Sequence, residues 1–114
     1  MDQQSYGEVI ITTTETIQGK EIKSYLGIVE GITITGFGAV REFFSSWTDL
    51  LGGKSGSYEK EFTVAKEKAL YDLKTKAQAL SANAVVGVRL DFESISAKGK
   101  SFVMVTASGT AVIV

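Results

Sequence analysis

The chain has 114 residues, 12 lysines and arginines against 13 acidic residues for a net charge of -1, and neither cysteine nor histidine. That length sets one domain as the expectation, and the even charge, with no block of one sign, excludes a basic nucleic-acid surface or an anionic-membrane surface. The missing cysteine removes disulfides, thiolate ligands and thiol nucleophiles, and the missing histidine removes the commonest metal ligand and the usual general base near neutral pH.

The opening residues, MDQQSYGE, are polar and acidic, unlike a secretory signal. No apolar run approaches the ~20 residues of a membrane helix, so the expected location is the cytoplasm. Glu8 to Thr14 is rich in β-branched residues and reads as a strand. Thr16 to Lys20, with Gly19, reads as a turn. Ile22 to Thr35 is a longer extended segment. On one of its faces lie Leu26, Ile28, Ile32 and Ile34, interrupted by Glu30; on the other lie Tyr25, Gly27, Val29, Gly31, Thr33 and Thr35. Bare backbone at Gly27 and Gly31 marks either a bend or a place where another element packs closely.

Gly36-Phe37-Gly38 ends that segment. Ala39 to Leu51 then sets Val40, Phe43, Phe44, Trp47 and Leu51 on one side of a short helix. Its aromatic surface suits core or subunit packing first and an aromatic ligand second. Gly52 to Ser57 is a glycine-serine stretch that opens a long helix. Along that helix Tyr58, Phe62, Ala65, Ala69, Leu73, Ala77 and Leu80 fall in steps of four and three, one continuous apolar stripe facing the sheet. Ser57 is the expected N-cap, with Glu59 and Glu61 where the helix dipole favours negative charge, and Asn83 is the expected left-handed residue beyond the other end. Ala84 to Val88 is apolar on both sides, as a strand covered on both faces would be. Ser94 to Lys100 reads as a polar connection between two hairpin strands, the second being Phe102 to Val114, neither face of which is properly polar. Apolar surface in excess of one small core points to an obligate homo-oligomer.

Gly53-Lys54-Ser55 looks like the end of a phosphate-binding loop, but that signature needs glycine where Thr48 stands, and the preceding element reads as a helix. A tight helix-to-helix turn accounts for the same glycines. A weaker anion or ligand site also fits, built from Gly53, Ser55, Gly56, Ser57, Tyr58 and Glu59 at a helix N-terminus. Arg89, Asp91 and Glu93 alternate along one strand face. They make an ion-pair row on a wet face, or Asp91 and Glu93 hold a hard divalent cation through oxygen, the one cofactor that the residues leave open. No Ser-His-Asp or Cys-His arrangement exists, so no enzyme is expected; a reaction site assembled across subunits from Tyr58, Glu59, Asp91 or Glu93 is the remaining catalytic option.

Several stretches together resemble the YbjQ-like family, bacterial and archaeal proteins labelled "putative heavy-metal binding". They are IITTTETIQGKEIKSYLGIVEG, GGKSGSYEKE with the helix after it, SANAVVGV with LDFE, and SFVMVTASGTAVIV. The resemblance covers nearly the whole chain. It implies a small α+β unit similar to dodecin subunits, with a long helix packed across an antiparallel sheet beside the shorter aromatic helix, assembling into a ring, a homopentamer. It also implies a metal-binding label. The family commonly carries D-x-D-Y-E where this chain has Arg89, Asp91, Phe92 and Glu93, arginine where Lys54 stands, and glycine where Ser81 stands. Without cysteine or histidine, soft metals have only the thioethers of Met1 and Met104, so no tight zinc or copper site is expected. The alternative function is a carrier of small molecules or anions with pockets between subunits.

Overall fold

A computed structural model describes residues 9–36, 56–97 and 99–114. Its elements are β1 (Ile10–Ile11), β2 (Ser24–Gly36), α1 (Gly56–Ala79), β3 (Ala84–Ala97) and β4 (Lys100–Ile113). The aromatic segment Ala39 to Leu51 lies outside the described residues.

β3 and β4 form the hairpin at the centre of the sheet. Ala97 pairs with Lys100, so the strands run into the expected connection of Ser94 to Lys100, and Gly99 takes left-handed backbone at φ 77°. Ser94 and Ser96 belong to the strand, opposite Val103 and Ser101 of β4. β2 pairs antiparallel with β4 from Ser24 opposite Ile113 to Gly36 opposite Phe102. β1 pairs in parallel with β3, giving the order β1-β3-β4-β2. The sheet is therefore mixed rather than antiparallel. β1 is also shorter than expected: the Thr14 amide and the Thr14 hydroxyl both bond to the Thr12 hydroxyl, and the Thr14 hydroxyl reaches the Thr16 carbonyl at 2.6 Å. Such local bonds compete with the strand ladder and bend the chain.

One face of the sheet carries α1. Ala65, Ala69, Leu73 and Ala77 of the apolar stripe are buried, and Phe62 meets Phe92 of β3 edge-on, with ring centroids 6.3 Å apart. Leu80 is exposed because the helix has ended before it. Gly31 of β2 lies against the helix backbone at Ala69 and Leu73, and Gly27 sits at a register shift between Tyr25 and its neighbours. Of the two roles open to this glycine pair, Gly31 provides the close approach and Gly27 the irregularity.

The helix ends in a left-handed residue, but that residue is Ser81, at φ 68°, and not Asn83. The Ala82 amide donates to the Ala77 carbonyl at 3.0 Å and the Ser81 amide to the Gln78 carbonyl at 2.9 Å, the bond pair of a Schellman ending. Asn83 instead clamps Val114, accepting from its amide at 2.8 Å and donating to its carbonyl at 3.1 Å. At the other end α1 begins at Gly56, so Ser57 falls inside the first turn instead of capping it. Left-handed backbone strains a residue with a Cβ, so Ser81→Gly should raise stability by about 0.5–1 kcal/mol once the extra freedom of glycine in the unfolded chain is subtracted. A chemical-denaturation midpoint that falls would show that Ser81 makes a compensating bond.

Two of the most distinctive sequence words meet in one structural device. Between Val86 opposite Thr110 and Arg89 opposite Ser108, β3 inserts an extra residue, so Gly87 and Val88 face Gly109 alone. Gly87 takes φ 62°, and its amide turns to the Thr14 carbonyl at 2.8 Å while that of Val88 reaches the Thr12 carbonyl at 3.0 Å. A Cβ on Gly109 would stand 2.7 Å from the Val85 side chain and 3.1 Å from the Val86 carbonyl. This bulge lets β1 join the sheet and lets the strand bury both sides. Val85 and Val88 enter the core under α1, whereas Ala84, Val86 and Val112 pack with Ile17, Ile22 and Val114 in a second cluster.

Candidate functional site

α1 covers one face of the sheet; the opposite face carries the candidate site. The register sets its side chains in three cross-strand rows: Glu30, Ser108 and Arg89; Ile32, Thr106 and Asp91; Ile34, Met104 and Glu93. Arg89, Asp91 and Glu93 share this face, as their alternation predicts, and all three are exposed. Beside them, at the sheet edge, Ile28 is 80%, Ile32 43% and Ile34 60% exposed. Strand alternation turns Val29 and Gly31 toward α1, which leaves the isoleucine-rich face of β2 outside.

Asp91 and Glu93 stand as two carboxylates two residues apart, with Arg89 on the same face as a competing cation. Among the described residues, no group of three or more acidic residues is placed to hold a metal ion. Zinc and copper favour imidazole and thiolate ligands, which this chain lacks, and the only sulfur on this face is the thioether of Met104. This donor set does not fit a soft heavy metal. Besides that thioether it offers carboxylate and hydroxyl oxygen, which suits a hard cation held weakly unless further carboxylates join. Of the anion-site residues, Gly53 and Ser55 lie outside the described residues. Gly56, Ser57, Tyr58 and Glu59 fall in the first turn of α1, with side chains outside them also.

Two features had no signal in the sequence patterns. The first is Asp72, whose Oδ2 accepts the outward-pointing amide of Ile32 at 3.1 Å and pairs with Lys76 at 3.2 Å. That bond closes the free edge of β2 at one point, where an incoming strand would otherwise find a donor. The Ile32 amide lowers the Asp72 pKa from its ordinary 3.8; partial burial opposes this shift, and Lys76 assists it. A carboxylate whose folded pKa is depressed contributes stability that is present above the unfolded pKa and is lost as pH falls through the folded one. Asp72→Asn keeps an acceptor without the titration. It should therefore lose less stability than the unmodified chain as acid is added below about pH 4. Identical acid limbs for the two proteins would remove this role.

The second is a groove of about 450 Å3 between β1 and α1, lined by Val9, Ile11, Glu67, Leu70, Tyr71 and Lys74. It escapes sequence reading because its walls come from strand and helix residues more than 50 positions apart and off the main stripe.

A helix laid on one face of a bulged, mixed four-stranded sheet defines a small α+β module. The chain belongs to the YbjQ family, whose model, described as "Putative heavy-metal-binding", matches residues 9–114. It is 46% identical over 106 residues to a UPF0145 protein of Pasteurella multocida, covering 93% of this chain and 99% of that one. It is 49% identical over 104 residues to a UPF0145 protein of Geobacillus kaustophilus, covering 91% of this chain and 96% of that one. Among solved structures it is similar to a DUF74-family protein of unknown function from Pediococcus pentosaceus. That match has a TM-score of 0.64 at 19% identity and covers 93% of this chain and 97% of that one, a likeness of fold alone. No helix among the described residues is long and apolar enough to cross a membrane.

Proposed function

We propose that this protein is a self-assembling binding or structural module of the cytoplasm that carries out no reaction. It works as a homo-oligomer, with five subunits as the number that the family resemblance implies. The observation that carries this reading is the outer face of β2, where Ile28, Ile32 and Ile34 stand exposed in a row. Apolar rows of this kind mark surfaces that another chain covers. Within such an assembly, Asp91 and Glu93 are the oxygen donors available to a hard divalent cation, and convergence of several subunits is what would raise their affinity. The carrier reading, with pockets between subunits near the 52–59 turn or the aromatic helix, stands behind the first; residues 52–55 and the aromatic segment lie outside the described residues.

Native mass spectrometry on protein purified without chelator, with calorimetric titration of zinc, copper and calcium, tests both parts. The expected result is an oligomer that binds zinc and copper no tighter than micromolar. A folded monomer of 12.2 kDa at micromolar concentration would overturn the assembly. Submicromolar zinc binding lost in Asp91→Ala would show a heavy-metal site in spite of the missing ligands.

A further inference from the structure

We propose that the groove between β1 and α1 of one copy receives the outer ridge of β2 from a second copy, with Glu30 of the ridge pairing with Lys74 of the groove. The inference rests on the self-assembly reading and names the surfaces that it uses.

The two surfaces lie at opposite edges of the sheet, since the strand order is β1-β3-β4-β2. A contact between two different patches of the same chain is heterologous, and it closes into a ring when the rotation between copies permits. Their chemistry is complementary. The groove is lined by the apolar Val9, Ile11 and Leu70, by Tyr71, and by one charge of each sign, Glu67 and Lys74, so Glu30 of the ridge must enter on the Lys74 side. The ridge offers Ile28, Ile32 and Ile34 with Glu30 among them, on the same face of the strand. Among the described residues, neither Glu30 nor Lys74 has an ion-pair partner; the pair formed nearby, Asp72 with Lys76, leaves both out. The groove, at about 450 Å3, falls within the usual range for binding clefts, roughly 300–1,000 Å3. Because Asp72 already takes the outward amide of Ile32, the ridge meets its partner through side chains and not by adding a strand at that position.

The test uses the full chain with Glu30→Lys, Lys74→Glu, the two together, and Ile28→Ser, each followed by sedimentation at micromolar concentration and by circular dichroism. Each single charge reversal should weaken assembly roughly tenfold or more, and the double reversal should restore it to within about threefold, since only a direct pair couples in this way. Ile28→Ser, at a side chain 80% exposed in the single chain, should weaken assembly with an unchanged fold. If the unmodified protein assembles and the three single variants assemble equally well, this interface is wrong and the oligomer reading stands. If the unmodified protein is monomeric, both fail. A double reversal that stays dissociated removes the pair, as does a small molecule retained in the groove and lost in Lys74→Glu.

Discussion

Gly31→Val should destabilise the protein by about 3 kcal/mol or more and lower its melting temperature by about 10 °C or more. Valine is favoured over glycine in a strand, so local propensity alone predicts the opposite sign. Packing outweighs propensity here because of what the new side chain meets. A Cβ at Gly31 would overlap the Ala69 carbonyl oxygen and stand 2.5 Å from the Leu73 amide nitrogen. Both are backbone atoms of α1, so no flexible side chain can turn aside, and the whole helix would have to lift from β2. Lifting it would also separate Asp72 from the Ile32 amide, a bond of 3.1 Å that depends on the same close approach. Thermal unfolding followed by circular dichroism measures the effect. A melting temperature equal to or above that of the unmodified protein would mean that α1 does not rest on this part of β2.

Leu73→Ala should cost about 2–5 kcal/mol. Leu73 is fully buried, and it is the largest residue of the helical stripe between Ala65 and Ala77. Its neighbours along the stripe are alanines, too small to move into the space that it leaves, which puts the expected cost in the upper part of that range. Urea denaturation gives the value, and an unchanged midpoint would show that α1 buries another face. Leu80→Ala serves as the contrast. That leucine follows the helix and is exposed, so its loss should change stability by no more than about 0.5 kcal/mol.

Much of the fold was legible because it is local. The steps of four and three from Phe62 to Ala77 placed the helix and its buried side, and the periodicity survives because α1 meets the sheet along a single stripe. Ala84 to Val88 announced a strand with two covered faces, and it has them, one under α1 and one against Ile17, Ile22 and Val114. The words Ala84-Val85-Val86-Gly87-Val88 and Ser108-Gly109-Thr110 stand out in the sequence because the backbone requires them. They are the two sides of one bulge. The shared face of Arg89, Asp91 and Glu93 was equally legible, since strand alternation is strict.

The chemistry of the donor set was settled by composition alone. A chain without histidine or cysteine offers oxygen and thioether ligands in any fold. The tertiary structure decided the matters that depend on contact between distant residues. Alternation divides β2 into two faces without saying which one is covered. The covered face is the poorer in large apolar residues, because only Gly31 lets the α1 backbone come close, and this leaves Ile28, Ile32 and Ile34 outside. The parallel pairing of β1 with β3, the edge bond from Ile32 to Asp72 and the groove between β1 and α1 likewise join segments separated by 40 or more residues. Local propensity and periodicity carry no information over such a separation; the docking of the helix on the sheet does.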